Sequence, residues 1–134
     1  MIVIDADGAI LGRLSSIVAK KLLMGEQIII VNAEKVVISG KLSWLKKDFL
    51  QKRQRGGYSK GPFYPRYSHM ILRRTIRGML PYKKQKGMVA LKRLKVYKGC
   101  PEQFKNAEKL GKQATELECK FARLEQISKQ LGAK

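Results

Sequence analysis

The chain has 134 residues, 44% of them apolar, and a formal net charge of +19. It is long enough to bury a core without disulfide or metal staples and too apolar for a disordered tail, so one domain over residues 1–134 is expected. A charge so far from neutral repels itself in isolation and calls for a polyanionic partner: nucleic acid, an anionic membrane surface or an acidic protein.

In chain order, Ile2-Val3-Ile4 is a short apolar run ending in Asp5-Ala6-Asp7-Gly8, which predicts a buried strand and a turn. Leu11, Leu14, Val18 and Leu22 fall at helical spacing, with Gly25 closing the helix. Ile28-Ile29-Ile30-Val31 has the continuous β-branched character of a central parallel strand. Val36-Val37-Ile38 predicts another short strand. Strand, helix, strand, strand favours an α/β layer fold over a helical bundle.

Leu42, Leu45 and Phe49 mark a second helix carrying Lys46, Lys47, Lys52 and Arg53. Residues 54–67, with three glycines and two prolines, predict a long irregular loop, ordered by itself or by RNA. Ser68 is the expected N-cap of a helix to about Leu80, ended by Pro81. At about 100° per residue, Ile71, Leu72, Thr75, Ile76, Met79 and Leu80 cover one half of it, and Arg73, Arg74 and Arg77 form a narrow arc opposite. Gly87 opens a short segment, and Lys95-Val96-Tyr97 predicts a last strand. Beyond Pro101, the apolar steps Phe104, Ala107, Leu110, Ala114, Leu117, Phe121, Leu124 and Leu131 predict a C-terminal helix within 101–134. Its seam would dock on the domain or on a helix of another protein.

The charge is unevenly distributed. Residues 1–40 hold four basic and four acidic residues, and residues 101–134 hold seven and five. Residues 41–100 hold eighteen basic residues and one acid, Asp48. A solvated face mixes its signs, so this middle section is the expected nucleic-acid surface. Within it, Arg53, Arg55, Lys60 and Arg66 alternate with Tyr58, Phe63, Tyr64, Tyr67 and glycines. Cations neutralise phosphates and release counterions, and aromatic rings stack on splayed bases. Phe63 and Tyr64 could equally anchor the loop to the core. The guanidinium groups of Arg73, Arg74 and Arg77 suit bidentate phosphate contact, and Lys83, Lys84, Lys86, Lys92 and Arg93 extend the run. A basic amphipathic helix could also rest on a membrane, but no exposed Trp/Leu face accompanies this one.

Other chemistry is poorly supported. Gly8 to Ser15 lies where phosphate loops often sit. Its glycine spacing is one residue short of a Walker loop, Arg13 stands in place of lysine, and Asp5 and Asp7 would repel phosphate. The only histidine, His69, has no carboxylate beside it in sequence, so no catalytic residues are expected. Cys100 and Cys119 match no metal or redox spacing and are expected as buried thiols in a reduced compartment. The start, MIVIDADG, does not read as a signal peptide, and no run approaches eighteen apolar residues. A cytoplasmic protein without cofactor, metal, membrane or small-molecule substrate is the expectation.

Four stretches then carry a resemblance: DADGAILGRLSSIVAKKLLMG at 5–25, VNAEKVVISGK at 31–41, KGPFYPRYSHMILRRTIRGMLP at 60–81 and ALKRLKVYKGCP at 90–101. Together they resemble the universal large-subunit ribosomal protein family numbered thirteen, in its archaeal and eukaryotic form, with a C-terminus of archaeal character. RTIRGMLP followed by LKRLKVYKG is the most specific part. The resemblance implies a three-layer α/β/α domain around a four-stranded parallel sheet, with a basic loop-helix insertion and a C-terminal helix. It implies contacts to large-subunit (23S-type) rRNA and to neighbouring ribosomal proteins, a part in early subunit assembly, and neither cofactor nor catalysis. The rRNA contacts carried over by motif fall on Lys60, Arg66, Arg73, Arg74, Arg77 and Lys92. The alternative is a free RNA-binding translational regulator acting on mRNA.

Overall fold

A computed structural model describes residues 1–134. Strand β1 (Ile2–Asp5) leads through helix α1 (Leu11–Leu23) to β2 (Ile28–Val31). After a single 3-10 turn come β3 (Val37–Ser39), α2 (Leu42–Gln54), α3 (Ser68–Met79), α4 (Gln85–Lys92) and β4 (Leu94–Val96). The C-terminal part contains β5 (Glu108–Lys109), β6 (Phe121–Arg123) and α5 (Leu124–Gln130), with short 3-10 turns between. β1, β2, β4 and β5 form a four-stranded parallel sheet in the order β4-β2-β1-β5, within a three-layer α/β/α arrangement.

Parallel strands must be covered on both faces, and β2 meets that demand with all four residues buried. Register aligns Ile4 with Ile30, and Ile28 with Leu94. These side chains join Leu14, Val18 and Leu22 of α1 and Ile71, Leu72 and Ile76 of α3 in one buried cluster. α3 thus lies against α1 and β4, which fixes the faces its remaining residues turn outward.

Several expectations are revised. The strand expected at 36–38 forms one residue later, at Val37–Ser39, and it stands outside the main sheet and pairs antiparallel with β6. The fourth parallel strand is β5, from the region expected to be helical. Only residues 124–130 of that region form a helix. Its apolar residues fall in turns and short strands, with Phe104, Ala107, Leu110 and Leu117 half-buried and Phe121 exposed. Gly111 is left-handed there (φ +85°), a conformation that interrupts any helix. Cys100 and Cys119 are both free and exposed rather than buried. No helix is long and apolar enough to cross a membrane.

α3 begins at Ser68, so Tyr67 holds the N-cap position and makes no side-chain capping bond. Met79, assigned by periodicity to the core half, is 43% exposed. Leu72→Ala should therefore lower unfolding free energy by about 2–5 kcal/mol, whereas Met79→Ala should stay within about 0.5 kcal/mol of wild type. Urea denaturation read by circular dichroism distinguishes the two.

Candidate nucleic-acid interface

The glycine-rich loop closes on itself. Gly57 and Gly61 form an isolated antiparallel bridge, with the Gly61 amide donating to the Gly57 carbonyl at 3.2 Å. Gly56 is left-handed (φ +86°), and a Cβ there would run into the Gly61 carbonyl. The glycines serve this internal closure. The tip they present is open: Tyr58 is 99% exposed, and Arg55 and Lys60 are exposed beside it in sequence.

The far end of the loop is tied to α2 and α3. Arg74 donates to the Phe63 carbonyl at 2.9 Å, and its guanidinium lies 4.7 Å from the centroid of the Tyr64 ring. Tyr64 also meets Phe49 edge-on at 5.8 Å. Arg74 is thus engaged in positioning the loop, and the Tyr64 ring is taken up within the protein instead of standing free for a base. Burial pushes the Tyr64 phenol above its ordinary range; the Arg74 charge opposes the rise and the Asp48 charge adds to it. Phe63, by contrast, is 70% exposed. Tyr67 stands partly exposed, with the Arg66 guanidinium 5.3 Å from its ring and His69 stacked at 5.9 Å. Burial, with help from Lys98, lowers the His69 pKa.

Arg73 and Arg77 are half-buried with Arg74 on one side of α3. Together with Phe63, Pro65, Met70 and Leu91 they line a cleft of about 240 Å³. The Arg77 guanidinium rests 5.0 Å from the Tyr82 ring centroid, and its Nε is buried without an acceptor. Past Pro81 the chain turns sharply: a Cβ on Gly87 would run into the Pro81 carbonyl, which explains glycine there. Lys83, Lys84 and Lys86 are exposed on this turn and the start of α4. Lys92 and Arg93 lie elsewhere, in a separate cleft of about 330 Å³ shared with Lys95. Lys95 was missed from sequence, although its outward position in the short strand β4 follows from strand alternation. Arg53 is half-buried near the end of α2.

The section has almost no internal neutralisation. Its one ion pair joins Lys52 to Asp48 at 2.8 Å within α2, and the chain's other two, Lys21–Glu26 and Lys129–Glu125, lie outside it. The structure is thus an α/β layer domain with a cationic, aromatic-bearing flank, the electrostatic footprint expected of a nucleic-acid-binding surface.

Comparison with known proteins agrees. The family described as ribosomal protein L13 matches residues 1–103. The large ribosomal subunit protein uL13 of Methanocaldococcus jannaschii is 50% identical, covering 100% of this chain and 99% of the relative. That of Methanosarcina barkeri is 47% identical over 100% and 99% of the two chains. That of Picrophilus torridus is 48% identical over 98% and 97%. This chain belongs to the ribosomal protein L13 family.

Burial is the main cause of the raised Tyr64 pKa, and Asp48→Asn removes the charge that adds to it. The Tyr64 titration should therefore move down toward the ordinary phenol value. Carbon-13 tyrosine NMR against pH, with Tyr64→Phe for assignment, reads the shift.

Proposed function

We propose that this protein is a structural constituent of the large ribosomal subunit in the cytoplasm, where its 41–100 section binds 23S-type rRNA, mainly through phosphates, during early subunit assembly. Neighbouring ribosomal proteins are its other partners. The observation that carries this reading is a section of eighteen basic residues and one acid, that acid already spent on Lys52. Arg73 makes no ion pair within the chain, and neither does Arg77. Lys84 occupies the N-cap of α4 without a side-chain capping bond, and Lys86 follows in the first turn. Cations at the positive end of a helix dipole are unfavourable until an anion reaches them.

Arg53, Arg55, Lys60, Arg66, Arg73, Arg77, Lys83, Lys84, Lys86, Lys92 and Arg93 are the contact residues. Tyr58, Phe63 and Tyr67 have ring surface available for bases. Arg74 contributes by holding the loop. Family membership favours the subunit over a free regulator of mRNA, since the relatives are named as large-subunit proteins. Sucrose-gradient fractionation tests this: the protein should remain with salt-washed large subunits, and a predominantly free pool would overturn the assignment.

Phosphate contact has its own signature. Arg73→Ala with Arg77→Ala should reduce the slope of log affinity against log salt by about 0.7–0.9 per lost contact, roughly 1–2 in all. Filter binding of an rRNA fragment across a salt series measures it, and an unchanged slope would exclude those two side chains from phosphate contact.

A further inference from the structure

We infer that the cleft between α3 and the end of the 54–67 loop receives a single unstacked nucleotide of the bound RNA. This rests on the RNA-binding reading above and adds to it a docking mode and a place. The cleft joins two chemistries. Phe63, Pro65, Met70 and Leu91 supply apolar and aromatic surface, while Arg73 and Arg77 supply cations at the same opening. Phe63 and Met70 are largely open to solvent, at 70% and 43% exposure. An exposed phenylalanine and methionine beside unpaired guanidinium groups suit a ligand with a flat apolar body and a negative charge on the same unit.

A nucleotide has that composition. Its base stacks on Phe63 and Met70, and its phosphate lies within the reach of Arg73 and Arg77. A bare phosphate backbone would leave the apolar floor uncovered. Size points the same way: at about 240 Å³ the cleft falls below the roughly 300–1,000 Å³ of drug-sized ligand sites, so it suits one ring system and not a stacked pair. Arg74 holds one wall in place through its 2.9 Å bond to the Phe63 carbonyl. The cleft is therefore formed before any ligand arrives.

Chemical probing of base edges in intact large subunits tests the idea. Subunits carrying the wild-type chain are compared with Phe63→Ala/Met70→Ala and, separately, Met70→Trp, which fills the cleft. Both positions are exposed, so neither change threatens the core. In wild-type subunits one base should be protected although unpaired. In both variants its reactivity should rise, by about tenfold if one stacking contact is lost. If the variants stay on the subunit and no base changes reactivity, the nucleotide cleft is overturned while the RNA-binding reading stands. If the wild-type protein is missing from the subunit, the RNA-binding reading fails and takes the cleft with it.

Discussion

The burial of one side of α3 governs the arrangement of everything cationic in this protein. Ile71, Leu72 and Ile76 are completely enclosed between α1, β4 and the C-terminal helix. Rotating the helix to bury an arginine would strand a charge in a low-dielectric interior and expose three large aliphatics, so its azimuth is fixed by several kcal/mol. Arg73, Arg74 and Arg77 face outward because the core leaves them no alternative. Arg74 then becomes the bracket for the loop, through the Phe63 carbonyl and the Tyr64 ring. Hydrophobic packing sets the position of the charges, and the charges in turn position the aromatic residues.

The remaining electrostatics follow from imbalance. Surface pairs such as Lys52–Asp48 contribute little to stability, and there are few of them here. The middle section carries self-repulsion, a cost that the phosphates of the proposed rRNA partner would offset by replacing the missing counter-charges. Clusters at the α4 start and at Lys92–Arg93–Lys95 spread this demand over more than one face. Such a distribution fits a part embedded in RNA better than a reader of one groove.

Much of the fold was legible because β2, α1 and α3 each obey a single periodicity. Four consecutive β-branched residues read as a buried parallel strand, and the 3.6-residue spacing of Leu14, Val18 and Leu22 left little ambiguity. The C-terminal part was misread because its apolar residues fall by chance at steps of three and four, and only Gly111 signalled otherwise. The partner of β3 was invisible for a different reason: β6 is short and distant in sequence, and pairing of that kind leaves no local pattern. At the candidate site the cations were legible from charge alone. Sequence could not separate Arg74 from Arg73, because the difference is a contact with a carbonyl eleven residues away. Nor could it choose between anchor and base platform for Tyr64, which depends on where Phe49 lies.

The closure of the 54–67 loop by Gly57 and Gly61 has a thermodynamic consequence. Ordering a backbone costs about 1–2 kcal/mol per residue, and a loop that ordered only on contact would withdraw that sum from the binding free energy. Here a glycine bridge at one end and an arginine bracket at the other meet much of the cost during folding. A polyanion meeting this surface, as in the proposed rRNA-binding role, would find it preshaped, and its association would be governed by electrostatic attraction and orientation rather than by a conformational search.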